Sequence, residues 1–226
     1  MMGRYYVFIL LVLTLVVSCK NKVDPPEFGF EYFGWEEGKY VTYEVMDIFH
    51  DENLSPKNDT FRYILKTVIG EEIIDNEGRK AKKFFRYSYD IKTEELLDQR
   101  VWTSIIANSR GEVVDENQRI IRLVFAITPD KTWDINAFNF KEELIANYGD
   151  IHVQKKVSDF SFDSTVVVEY DDFFSLVDYR IKYDVYAKNV GLVKRYYKDL
   201  KISNFDTLDI RRGTEIHYRL IDYGVE

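Results

Sequence analysis

The stretch "YVTYEVMDIF", Tyr40 to Phe49, sets the reading of the fold. Val41, Tyr43 and Val45 fall on one side of an extended chain, and Thr42 and Glu44 on the other. This period of two belongs to a half-buried β-strand, because successive side chains point to opposite faces. The same pattern recurs along the chain. Phe61, Tyr63, Leu65 and Ile69 share a face against Arg62 and Lys66. Phe85, Tyr87 and Tyr89 align, as do Ile181, Tyr183 and Val185 against Lys182 and Asp184. Ile216, Tyr218 and Leu220 form one side of Glu215 to Leu220, which leaves Glu215, His217 and Arg219 on a polar face. Ile120 to Ile127 is apolar on both faces except for Arg122, and reads as a central, well-covered strand.

Turn chemistry falls between these runs. Asp75-Asn76-Glu77-Gly78 and Ser109-Arg110-Gly111 are expected to close hairpins. Thr128-Pro129-Asp130 reads as a turn, and Asn189-Val190-Gly191 joins two strands through a left-handed position. Helix is predicted only over Thr93 to Arg100 and Phe140 to Tyr148, the second with Asn139 and Glu142 spaced as a capping box. With 17 Tyr and 16 Phe among 226 residues, and four Pro, the composition favours strands and argues against a long disordered linker. The expectation is a single all-β domain. About ten antiparallel strands form one strongly curved sheet or a partly closed barrel, with one or two short helices.

The first residues have a different character. Arg4 precedes an apolar run, Tyr5 to Val17, which ends at Ser18 and Cys19 before Lys20-Asn21-Lys22. This is the layout of an export leader, and the run is too short to cross a bilayer, which takes about 20 residues. Val16-Val17-Ser18-Cys19 resembles the lipobox of bacterial lipoproteins. That resemblance implies a diacylglycerol on the Cys19 sulfur, an acyl chain such as palmitate on its freed amine, and cleavage just before it. An ordinary cleaved leader and a retained anchor stand as alternatives. On the lipoprotein reading, residues 1–18 are the signal peptide, 19–30 the lipidated cysteine and a tether containing Pro25-Pro26, and 31–226 the β domain. Two or more acyl chains hold a protein firmly on a membrane. Cys19 is the sole cysteine, so the mature chain has no disulfide and no cysteine metal site. Apart from this covalent lipid, no cofactor is expected.

Three stretches carry a broader resemblance: "YFGWEEGKYVTYEV" (Tyr32 to Val45), "TWDINAFN" (Thr132 to Asn139) and "YDVYAKNVGLVKRYY" (Tyr183 to Tyr197). Together they are similar to a group of uncharacterised lipoproteins of Bacteroidetes-type Gram-negative bacteria, with Gly34 standing where that group would place proline. The resemblance implies an exported, β-rich lipoprotein on the outer membrane, and no activity. Surface-exported members tend to carry acids soon after the cysteine. Lys20 and Lys22 precede Asp24 here, which favours the periplasmic face over the cell surface.

The net charge is −8, and loss of Arg4 with the leader takes it to −9. Nucleic acid is therefore not an expected partner, since phosphate binding needs a basic face. His50, His152 and His217 lie far apart with no metal-ligand spacing, and read as solvent-facing; no metal site is expected. The adjacent acid pairs, Asp171-Asp172 among them, would point to opposite faces of a strand and make no catalytic dyad. No nucleophile elbow, phosphate loop or dinucleotide fingerprint appears, and no catalytic residue is assigned. Among the tryptophans, Trp102 reads as core. Trp133 lies in a long loop with Asn136 and Phe138, and these three form the candidate binding loop; a plug closing the core is the structural alternative. The functional expectation is a non-enzymatic binding or accessory module for a protein or glycan partner. A periplasmic carrier of a lipid or other hydrophobic ligand is the alternative, and a carboxylate-based hydrolase the third.

Overall fold

The computed structural model describes residues 28–226. Cys19, the leader and most of the tether lie outside the described residues. Twelve strands follow one another: β1 (Lys39–Asp51), β2 (Asn58–Ile74), β3 (Lys80–Asp90), β4 (Leu96–Ala107), β5 (Arg110–Asp115), β6 (Gln118–Val124), β7 (Thr132–Asp134), β8 (Ile145–Val157), β9 (Phe160–Phe174), β10 (Asp178–Ala187), β11 (Gly191–Ser203) and β12 (Asp206–Val225). They make one antiparallel sheet in the order β6-β5-β4-β3-β2-β1-β12-β11-β10-β9-β8-β7. Every strand therefore pairs with its neighbours in sequence except across β6 and β7, and the first and last strands are joined by pairing of β1 with β12 from Lys39↔Val225 to Asp51↔Arg212. The sheet is an up-and-down, nearly closed barrel.

Local chemistry explains its curvature. Three hairpins have two-residue loops with positive φ at both positions: Asn108-Ser109, Glu116-Asn117 and Asn204-Phe205. Such turns match the right-handed twist of the strands they join. Register shifts at Thr42/Tyr43, Lys182/Tyr183, Val185/Tyr186 and Gly111/Glu112 add bulges that bend the sheet further.

The remaining gap lies between β6 and β7. Ile121 N–H donates to the Ile135 carbonyl at 3.0 Å, the Trp133 indole to the Ile121 carbonyl at 3.3 Å, and Asn139 Nδ2 to the Arg119 carbonyl at 2.9 Å. The Tyr148 hydroxyl binds both the amide and the carbonyl of Val124. These contacts correct the reading of Ile120 to Ile127 as a central strand. It is an edge strand, and it is apolar on both faces because the closing segment covers it: Ile121 and Leu123 pack in one cluster with Trp133 and Ile135.

The two expected helices are absent among the described residues. Over Phe140 to Tyr148, the backbone amides are met by side chains instead. Asn139 Oδ1 accepts from Lys141 N, and Asp134 Oδ1 accepts from Leu144 N, before β8 begins at Ile145. Over Thr93 to Arg100, Asp90 Oδ1 captures the amides of Lys92 and Thr93 in a turn, and Leu96 onward pairs with β3. The helical element present is a single 3-10 turn, Phe30–Phe33, between Gly29 and Gly34, both at positive φ. It plugs one end of the barrel. Tyr32 is fully buried, with its hydroxyl 2.6 Å from both His152 Nδ1 and Ser164 Oγ. The Asn189 amide, in the β10–β11 turn, donates to the Glu31 carbonyl.

Apolar packing falls in two clusters. One gathers Phe33, Val113, Leu123, Val166, Val168 and Tyr186; the other gathers Val41, Tyr43, Leu65, Val185, Tyr218 and Leu220. β9 feeds both, since Val167 joins Val157, Phe162 and Val185 on its second face. The β8–β9 hairpin thus covers the outer wall of the barrel.

Candidate functional site

Two concavities follow from this arrangement. The first lies on the outer wall, where that hairpin meets β10, β11 and β12. Tyr183 pairs with Tyr196, and Tyr196 with His217, in consecutive strands. Their rings stack in a row, with centroids 5.5 Å and 4.4 Å apart and planes inclined by 24° and 20°. Lys194 Nζ stands 5.2 Å from the Tyr183 ring. The row forms a wall of a cleft of about 540 Å³, rimmed across from it by Asp150, Lys155, Lys156 and Ser158. That volume lies within the range of small-ligand sites, about 300–1,000 Å³. Lys155 pairs with Asp150 at 3.0 Å, and Arg219 with Glu44.

The second concavity is inside the barrel. A cavity of about 80 Å³ lies between the Phe33-Gly34 end of the plug and the inner faces of β3, β4, β6, β11 and β12. Arg86, Arg122, Arg195 and Lys39 line it, and no carboxylate does. Arg195 is spent on Asp184, a fully buried carboxylate, through Nε–Oδ1 at 2.8 Å and Nη2–Oδ2 at 2.6 Å. Asp184 also accepts from the Tyr170 hydroxyl at 2.9 Å. Burial and then this carboxylate push the Tyr170 and Tyr186 hydroxyls well above the usual tyrosine range. Tyr218 goes the other way. Burial would raise it, but the Arg86 and Arg195 guanidiniums outweigh burial and hold it below the usual value.

The candidate loop residues are separated by the structure. Trp133 and Asn136 are buried: the first closes the β6–β7 gap, and the second donates to the Glu142 carbonyl at 2.7 Å. Phe138 is exposed, with the Arg110 and Arg119 guanidiniums 4.8 and 4.7 Å from its ring centre. Trp102 lines the inner cavity. Of the histidines read as solvent-facing, His152 is exposed, whereas His50 is buried and His217 half-buried. His50 is buried with Nε2 3.0 Å from Glu215 Oε1, His217 lies 3.3 Å from the same carboxylate, and His152 meets Tyr32. His50 and His217 are drawn in because β1 and β12, the first and last strands, are neighbours. Among the described residues, no group of three His, Cys, Asp or Glu side chains is arranged to hold a metal.

The sequence pattern does not reveal either concavity. Tyr183, Tyr196 and His217 lie on different strands, and their alignment depends on register. Arg122 was visible as a lone charge in an apolar strand, and that was the available signal for the interior.

No family model matches the chain, and no solved structure matches it. The chain is similar to an aminomethyltransferase of Staphylococcus carnosus (strain TM300), at 24% identity over an alignment of 175 residues that covers 70% of this chain and 47% of that protein. The chain thus spans about half the length of that relative. Identity at this level assigns neither a family nor an activity.

Proposed function

We propose that this chain is a lipid-anchored protein of the bacterial cell envelope that works without catalysis, as a binding module whose outer cleft takes a glycan. One observation carries the reading: the Tyr183–Tyr196–His217 row lines a cleft of about 540 Å³ with a polar rim. Flat aromatic faces receive the apolar faces of sugar rings, and the rim supplies hydrogen bonds to hydroxyls. With Lys155 paired to Asp150 and Arg219 to Glu44, Lys156 and Lys194 stand against Glu169 along the cleft, which favours an acidic sugar. A protein partner is the second reading. It has its own support at the barrel end opposite the plug, where Phe173, Phe174, Leu176, Val177, Phe205 and Leu208 are all exposed.

The carrier reading has less behind it, because the inner cavity of about 80 Å³ is small for an acyl chain and lined by cations. A hydrolase would need two facing carboxyls of raised pKa. Burial raises the carboxyl of Asp47 with no second carboxylate contributing, whereas burial and Glu116 raise Asp115.

The anchor is tested by feeding cells an alkyne analogue of palmitate. The native chain should take up label and fractionate with membranes, and Cys19→Ala should do neither; label on Cys19→Ala would remove the lipoprotein reading. The cleft is tested by titrating uronic-acid and neutral oligosaccharides. Tyr196→Ala should weaken binding about two- to tenfold, the value of one lost stacking face. Equal binding by the variant would move the site elsewhere.

A further inference from the structure

The inner cavity has an unbalanced charge. Arg195 has Asp184 as its partner. Arg86 has a weak contact, Nη2 to the Tyr218 hydroxyl at 3.4 Å, and lies 4.0 Å over the Trp102 ring. Among the described residues, Arg122 makes no side-chain hydrogen bond and no ion pair, and its titratable neighbours are the Arg195 guanidinium and the neutral phenols of Tyr170, Tyr186 and Tyr197. The Trp102 indole N–H, a second donor on the same cavity wall, is buried with no hydrogen-bond partner. A guanidinium and an indole N–H can only donate, and donors withdrawn from water without an acceptor are costly. Apolar side chains, Val41, Ile69, Phe84, Val113 and Leu192, stand around these donors, with Thr67 and Ser104 also on the wall.

We propose that the barrel interior is a binding site for a short-chain carboxylate, its oxygens facing Arg122, Arg86 and the Trp102 indole, and its carbon chain against Ile69, Phe84 and Leu192. The size agrees. A cavity of about 80 Å³ has room for about five to eight water-sized positions, enough for a carboxylate and a few carbons. The Tyr218 hydroxyl, held below its usual range by the same guanidiniums, reports a positive potential at this place. Guanidinium pairs with carboxylate through two parallel N–H···O bonds, which an ammonium cannot do. This cavity shares Arg195 and Tyr218 with the lining of the outer cleft, but Arg122, Arg86 and Trp102 line it alone, so its test is distinct from that of the glycan reading.

The experiment uses the full-length protein in detergent. Straight-chain carboxylates from acetate to octanoate are titrated at constant ionic strength, and both tryptophan emission and thermal midpoint are followed. Sodium chloride and sodium sulfate are run as parallel arms. The expected result is a saturable rise in midpoint and a change in emission, greatest for chains of about three to six carbons, with room set by the cavity. Arg122→Gln should keep the fold, because the guanidinium it removes has no hydrogen-bond or ion-pair partner, and should weaken the carboxylate at least tenfold. Trp102→Phe should retain binding with reduced affinity. The proposal is overturned if no carboxylate gives a saturable response, or if Arg122→Gln binds as tightly as the native chain. An equal response to sulfate or chloride overturns the carboxylate assignment. If Arg122→Gln fails to fold, Trp102→Phe decides: undiminished affinity there sinks the proposal.

Discussion

Glu215 is a carboxylate surrounded by donors on three strands. His50 lies 3.0 Å from one oxygen, and Lys198 3.0 Å and His217 3.3 Å from the other. Burial alone would raise its pKa. The close His217 and Lys198 contacts, the Lys198 charge and the hydrogen bond to His50 outweigh burial and bring it down to about 2 from the ordinary 4.5. A carboxyl whose folded value is depressed adds stability that is fully present above its unfolded value and is lost as pH falls through the folded one. The contribution of Glu215, at most about 3 kcal/mol for a shift of this size, should therefore disappear between about pH 4.5 and pH 2. Urea denaturation at pH 6, 4 and 3 tests this. The native chain should lose more stability over that range than Glu215→Gln, and parallel loss in both would refute the assignment. The polar character of Glu215 was legible from alternation in β12. Its burial was not, because His50 reaches it from β1, distant in sequence, and the pairing of Lys198 opposite it depends on the β11–β12 register.

At the scale of the element, the plug depends on the two glycines that bracket it. Gly34 sits at φ 62°, and a Cβ there would lie 2.4 Å from the Val190 carbonyl oxygen. The β10–β11 turn therefore approaches the plug as closely as two backbones allow. Gly78 has φ 76° with open space around it. Alanine at Gly78 should cost about 1 kcal/mol, the strain of the left-handed region alone. Alanine at Gly34 adds a collision with main chain that cannot rotate away, and should cost about 3 kcal/mol or more. Paired urea midpoints for Gly34→Ala and Gly78→Ala check the difference; equal costs would mean the plug shifts freely. A resemblance that expected proline at position 34 fits this picture poorly, since proline cannot adopt positive φ.

The whole barrel has two unlike seams. β1 and β12 pair along thirteen residues, with a bulge at Thr42/Tyr43. The β6–β7 seam is stitched by a few loop and side-chain bonds around Trp133. Local opening follows the weaker backbone pairing. In hydrogen exchange, amides of residues 132–135 and of β6 should exchange by partial opening, well before those of β1 and β12, which should follow global unfolding. Protection at β6 and β7 equal to that at β12 would mean the barrel is closed as firmly there as elsewhere.

By itself, the sequence determined the class of fold and the positions of most strands. Alternation in β1, β2 and β12 and turn residues such as Asp75–Gly78 and Asn189–Gly191 are local, and a β-strand with one apolar face needs no distant information to be recognised. It also marked Arg122 as a charge in an apolar run. Tertiary structure alone decided the rest. Bulges set which residues cross from one face to the other, the first and last strands meet as β1 and β12, and a short loop closes β6 against β7. Those long-range pairings place three guanidiniums in one cavity and three rings in one cleft. A period of two specifies which face a residue is on; it does not specify which strand lies beside it.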